Sequence, residues 1–174
     1  MSRRLLYGLL SLSALGAGCG DEGGTFDKGD FGVTFSYPAG FKEAKRVTSG
    51  KTSDTRARAT EGIGLDDKNL IVLRRYDRRE TVERKDLGKA KFEFDEVVSQ
   101  VAGDGAPEGR QTEAAGLPAL RYDGIPVREA GAESRFLFVF DDKTEYFLSC
   151  QFTPQKRAEL LKGCDEAIRT LAKK

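Results

Sequence analysis

The chain has 174 residues, with 29 Lys and Arg against 28 Asp and Glu, and it contains no histidine and no tryptophan. That length suits one domain with a proper core. The near-neutral balance offers no basic face for nucleic acid, and the lack of histidine excludes Ser-His-Asp and Cys-His catalysis, most zinc sites and the usual neutral-pH acid–base group.

Arg3 and Arg4 open the chain, Leu5 to Leu15 is uncharged and leucine-rich, and Gly16-Ala17-Gly18 leads directly to Cys19. That is the three-part layout of a signal peptide over residues 1–18. Its apolar run is shorter than the about 20 residues that span a bilayer. Small residues ending on Cys19, followed at once by Gly20-Asp21-Glu22-Gly23-Gly24, resemble the lipobox of bacterial lipoproteins. Leu15 stands four residues before the cysteine, and Gly16 fills the place where an apolar residue is usual. The resemblance implies export, acylation of Cys19 and a domain held to the membrane by an N-terminal lipid anchor. Ser2-Arg3-Arg4-Leu5-Leu6 also half-matches a twin-arginine export signal, which leaves the export route open. Loss of the leader removes Arg3 and Arg4 and takes the net charge from +1 to −1. Residues 19–30 then read as the lipidated cysteine and a flexible, Gly- and Asp-rich tether, with one domain over residues 31–174.

Phe31, Val33, Phe35 and Tyr37 alternate with Gly32, Thr34 and Ser36, which is strand period. Pro38-Ala39-Gly40 breaks it. Residues 41–48 predict a weaker strand, and 49–56 a polar loop. Arg58–Leu65 and Asn69–Tyr76 predict a hairpin around Asp66-Asp67-Lys68. Leu70-Ile71-Val72-Leu73 is apolar on both faces, as in a covered sheet. Residues 77–85 are mixed in charge and read as a solvated linker or helix start. Leu87, Ala90, Phe94, Val97, Val98 and Val101 recur at three and four, which predicts a buried helix stripe. Gly103 to Pro107 ends that helix.

Residues 115–122 read as a turn feeding a strand, and 123–133 as a loop. Phe136, Phe138 and Phe140 then face one way while Leu137 and Val139 face the other, so this strand is covered on both sides. Asp141 to Thr144 is a turn. The returning strand places Tyr146, Leu148, Cys150 and Phe152 on one face. Thr153 suits an N-cap and Pro154 the first helical position. Leu160, Leu161, Cys164, Ala167, Ile168 and Leu171 form the inward stripe of the last helix. A helix running back over its preceding strand brings Cys150 to Cys164. Export places both thiols in an oxidising compartment, so the pair predicts a disulfide that pins the helix to the sheet.

Three features carry a family resemblance: Phe31-Gly-Val-Thr-Phe-Ser-Tyr-Pro-Ala-Gly-Phe41, Gly116-Leu-Pro-Ala-Leu-Arg-Tyr122, and the closing hairpin with its Cys-bearing helix. Together they resemble the PsbP-like superfamily, and the LpqN- and DcrB-like bacterial lipoproteins in particular. Phe41 stands where many members carry Trp. The resemblance covers residues 25–172. It implies an α+β fold, an α/β/α sandwich whose central, mostly antiparallel sheet is flanked by helices. The fold alone does not imply an activity, because it hosts unrelated binding roles.

No motif for a cofactor or metal is present. Asp66-Asp67 and Asp141-Asp142 sit at hairpin turns, where Asp is favoured for its own backbone bonding. Gly62-Ile63-Gly64 lacks the rest of a phosphate loop. Arg74, Arg75, Arg78 and Arg79 interleave with Asp77 and Glu80, which favours a solvated face over an anion site. The expectation is an exported, membrane-anchored, non-catalytic binding or accessory domain with a protein or small-molecule partner. Two alternatives are a carrier of a lipid or hydrophobic molecule, with a cavity near Phe136, Phe138, Phe140 and Phe147, and a histidine-free envelope hydrolase.

Overall fold

In the strand Ala132–Asp141, Leu137 and Val139 are buried on one side while Phe138 and Phe140 are buried on the other. A strand apolar on both faces needs a layer above it and a layer below. The structure, a computed structural model, shows both layers. It describes residues 22–44, 56–127 and 131–174. The leader and Cys19 lie outside the described residues, as do positions 45–48 of the weaker strand and most of the polar loop after it.

The strands are β1 (Gly24–Asp27), β2 (Val33–Tyr37), β3 (Lys42–Glu43), β4 (Ala59–Gly64), β5 (Leu70–Asp77), β6 (Arg110–Ala114), β7 (Leu117–Val127), β8 (Ala132–Asp141), β9 (Thr144–Phe152) and β10 (Ala172–Lys173). The helices are α1 (Leu87–Ala102) and α2 (Arg157–Thr170). Seven strands form an antiparallel sheet in the order β3-β4-β5-β9-β8-β7-β6. The other three form a small antiparallel sheet, β1-β2-β10. The expected sandwich is present, with one addition. Helix α1 covers one face of the large sheet over β6 and β7, whereas α2 shares the other face with the small sheet.

Five expectations need correction. Residues 24–27, expected in the tether, form β1, because Phe26 is buried against Phe31 and Phe35, with ring centroids 5.3 and 4.7 Å away. The domain therefore starts at Gly24. Residues 110–114, unassigned in the sequence, pair with β7 as an edge strand. Residues 123–127 and 132–133, expected in a loop, extend β7 and β8 past a register shift between Tyr122 and Ile125. Val97 and Val101 are exposed, and the inward stripe of α1 is Leu87, Ala90, Phe94, Val98 and Ala102. Thr153 and Pro154 lead a 3-10 turn rather than α2 itself, and the Thr153 hydroxyl donates to Asn69 Oδ1 at 3.0 Å.

On the other helix, Gly163 stands where any larger side chain would strike Phe41. A Cβ there would lie 2.3 Å from the Phe41 ring. Cys150 and Cys164 are joined, with their Cα atoms 6.1 Å apart, and both are fully buried. The bond ties α2 to the central sheet as the inward faces of strand and helix require. Replacing both cysteines by alanine should lower the unfolding free energy by about 3 kcal/mol in the chain-entropy picture, measured by urea denaturation. Alkylation of the denatured, unreduced domain should label neither thiol. Gly163→Ala should destabilise by about 1–3 kcal/mol despite the better helix propensity of alanine, because the core has no room for the methyl group. Thermal melts check this, and a raised Tm would contradict it.

Candidate functional site

Cross-strand register places Arg135 of β8 opposite Cys150 of β9, on the α2 side of the sheet. Its neighbours are therefore the disulfide and α2. Arg135 Nη1 lies 4.0 Å from Cys164 Sγ and donates to Asp165 on α2, while Nε donates to Asp123 Oδ1 at 2.5 Å. The bulge in β7 supplies Asp123. The register shift leaves Asp123 and Gly124 out of the ladder, and Gly124 takes φ 74°. Bulges of this kind re-aim side chains. Here the re-aimed carboxylate meets three guanidinium groups, since Arg110 of β6 and Arg121 of β7 also donate to it, Arg121 Nε at 3.0 Å to Oδ2.

Burial would raise the Asp123 carboxyl, but hydrogen bonds from Arg121 and Arg135, together with their charges, hold it at about 2. The group is a fixed anion at any ordinary pH. It has no proton to give, which is opposite to the raised carboxyl a general acid needs. Arg135 is almost fully buried and has a carboxylate on each side, the pairing that a buried charge requires. Arg110, by contrast, keeps a side-chain exposure of 68% and turns free donors outward. The cluster can pair with an acidic side chain or another anionic group at the open end of the sheet.

Beside it, an open depression of about 510 Å³ runs along α2, lined by Ala158, Leu161, Lys162, Asp165, Glu166 and Arg169. Asp165 belongs to both features. A smaller hollow of about 140 Å³ lies at the start of α2, where Arg157 stacks on Phe152 at 5.0 Å and pairs with Glu133. Both are surface hollows. The aromatics expected around a carrier cavity pack on one another instead: Phe136 on Phe147 at 5.0 Å, Phe138 on Phe147 at 4.8 Å, and Phe94 on Phe138 at 4.4 Å. That packing counts against a ligand chamber among them.

The other predicted positions resolve into structural roles. Asp66 accepts N–H groups from Lys68 and Asn69 at 2.9 Å each, which is the turn bonding expected of it. Burial opposes the shift, but these bonds and that of the Asn69 side chain hold its carboxyl below the ordinary range. Asp142 lies in the β8–β9 turn at φ 51° and accepts from the Thr81 hydroxyl, while Asp141 pairs with Lys173. The arginine run is partly covered by its own contacts and only in part solvated. Arg74 stacks on Phe147, Arg75 donates to the Asp30 carbonyl, and Arg78 stacks on Phe94 and Phe140 and pairs with Glu145 at 2.7 Å. Among the four, Arg79 is the exposed one and lies beyond the end of β5, while strand alternation sends Arg74 and Arg75 to opposite faces. Among the described residues no group of three or more His, Cys, Asp or Glu converges as a metal site.

Three connecting residues escape the sequence pattern. Buried Asn69 accepts from the Thr153 N–H at 2.7 Å and donates to Asp66, so it ties the β4–β5 turn to the start of α2. Asp95 on α1 accepts from the Tyr122 hydroxyl at 2.9 Å and the Gly109 N–H at 3.0 Å. Gly109 has no alternative there, since a Cβ would lie 2.4 Å from the Tyr122 ring.

No protein-family model and no curated protein matches the sequence. Solved structures do match. Cyanobacterial PsbP (CyanoP) from Synechocystis sp. PCC 6803 superposes over 94% of this chain and 99% of its own, with a TM-score of 0.57 and 11% identity. The fold is PsbP-like. LpqN, involved in cell envelope biogenesis of Mycobacterium tuberculosis, superposes over 88% of this chain and 86% of its own, with a TM-score of 0.52 and 12% identity. A crystal structure from Bacteroides thetaiotaomicron VPI-5482 matches 88% of this chain at a TM-score of 0.56 and 10% identity, and this PsbP-like chain spans 49% of it. At such identities the likeness concerns backbone architecture and not side-chain chemistry.

The arginine cluster yields a pH test. The folded pKa of Asp123 lies below its ordinary 3.8, so its stabilising contribution is complete above that value and is lost as pH falls towards about 2. Asp123→Asn should cost about 1–2 kcal/mol at pH 7 by weakening the hold on Arg135. The difference from the unmodified protein should shrink between pH 4 and pH 2. Chemical denaturation at several pH values measures both effects, and a pH-independent difference would refute the assignment.

Proposed function

We propose that this protein is a lipid-anchored accessory domain of the bacterial cell envelope that recognises a protein or small-molecule partner without catalysis. The observation that carries the reading is the leader ending on Cys19, set directly ahead of a PsbP-like domain. The similarity to LpqN, whose described role is in cell envelope biogenesis, supports the envelope location. Among the described residues no helix is long and apolar enough to cross a membrane. An acylated Cys19 supplies the attachment in this reading.

The geometry supports recognition. The surface beside α2 offers charges of both signs along an open depression, and Asp165 on its lining pairs with Arg135, which also holds the ionised Asp123. Fixed charges on rigid elements orient a partner and set specificity. Arg110 is the exposed member of the cluster, and an acidic group on the partner is its complement.

Intact-mass measurement of the protein purified from membranes tests the anchor. The expected mass lacks residues 1–18 and carries acyl chains on Cys19, and Cys19→Ala should release the domain from the membrane fraction. A chain that begins at Met1 without acylation would overturn the reading.

A further inference from the structure

The most informative difference between sequence and fold is the start of the domain at Gly24. Four residues, 20–23, separate Cys19 from β1. Five extended peptide links reach at most about 18 Å. We propose that the bilayer surface is a docking partner of this domain, and that the end bearing Gly24 and the Tyr37–Gly40 turn is held against it. The inference rests on acylation of Cys19, as proposed above.

The exit path of the chain defines that end. Gly24 pairs with Tyr37 across β1 and β2. A Cβ on Gly24 would lie 2.4 Å from the Tyr37 ring, and one on Gly23 would lie 2.4 Å from the Tyr37 carbonyl oxygen and 3.2 Å from Pro38. The two glycines let the leash lie flush on Tyr37 and Pro38. Whatever holds Cys19 therefore holds the Pro38-Ala39-Gly40 turn close by. Ser36, one residue away, accepts the chain of contacts from α2: its N–H donates to Thr170 Oγ1 at 2.8 Å. The last turn of α2, with exposed Arg169, belongs to the same end.

The chemistry of this end suits a membrane interface. From Phe31 to Phe41 the chain carries no charge. Tyr37 and Pro38 are half-buried, Ala39 and Gly40 are exposed, and Leu65 approaches Gly40 at 4.0 Å from an ideal Cβ. Tyrosine is favoured at the headgroup level, where its ring is sheltered and its hydroxyl stays wet. Lys42 and Arg169 are exposed cations that meet lipid phosphates without desolvation. The opposite end is equally well marked. Lys173 at the end of β10 pairs with Asp141, and Arg75 reaches the Asp30 carbonyl, so the Asp142-Lys143 turn lies beyond the far end of β2. The docked domain then turns the Asp142-Lys143 end outward.

The absence of tryptophan makes a clean measurement possible. The full acylated protein, with a single tryptophan at exposed Ala39 or at exposed Lys143, is placed in vesicles of phosphatidylethanolamine and phosphatidylglycerol containing a dansyl-labelled headgroup. Energy transfer from Ala39→Trp should exceed that from Lys143→Trp by about threefold or more, given a leash of about 18 Å. Ten Gly/Ser residues inserted after Gly20 add a flexible span of about 17 Å and should bring the two values together. Tyr37→Trp serves as a second reporter of the near end should Ala39→Trp misfold, with circular dichroism checking each variant. Equal transfer from both ends of an acylated protein would overturn the docked orientation and leave the anchor standing. A protein whose mass shows no acyl chain would remove the anchor and this inference with it.

Discussion

Everything else in this fold hangs on two adjacent strands that bury both of their faces. Along β8 and β9, Leu137, Val139, Tyr146, Leu148, Cys150 and Phe152 point to one side, while Phe138, Phe140 and Phe147 point to the other. No single layer can satisfy both. Helix α1 closes the aromatic side. The opposite side is wider than one helix, and α2 together with the small sheet closes it. The small sheet exists because β1 and β10, from near the two ends of the described chain, pair with β2 on either side.

That pairing has a mechanical consequence. A strand formed only four residues after Cys19 removes the slack that a Gly-rich segment would otherwise provide. Phe26 is the cause. Buried between Phe31 and Phe35, it gains roughly 2–3 kcal/mol of apolar transfer, which joins the β1–β2 backbone ladder in offsetting the entropy of ordering this stretch. The same residues that complete the core thereby set how far the domain stands from Cys19.

Charge is handled by pairing. Arg135 sits between Asp123 and Asp165, and Arg78 between two aromatic rings and Glu145. Buried charges are tolerated where an opposite charge is in place, as both carboxylates are for Arg135 and Glu145 is for Arg78. Asp123, so engaged, is held ionised and does not serve as an acid. The charges left exposed are Arg110 and the mixed charges of the depression beside α2.

The helices, the β4–β5 and β8–β9 hairpins, the doubly covered strands and the partnership of Cys150 with Cys164 were legible from residue order alone. Each is written in local periodicity or in a pair of inward positions, which chain geometry obliges to meet. Tertiary contact alone decided the rest. One phenylalanine among Gly and Asp cannot announce a strand, so β1 needed the prior existence of β2. Residues 110–114 carry no apolar alternation, because an edge strand half in water can be polar. Val97 and Val101 fit the helical stripe but lie where the sheet does not reach. Arg135 and Asp123 look like ordinary surface residues in sequence. A bulge, a cross-strand register and a helix from the far end of the chain had to converge before they became neighbours.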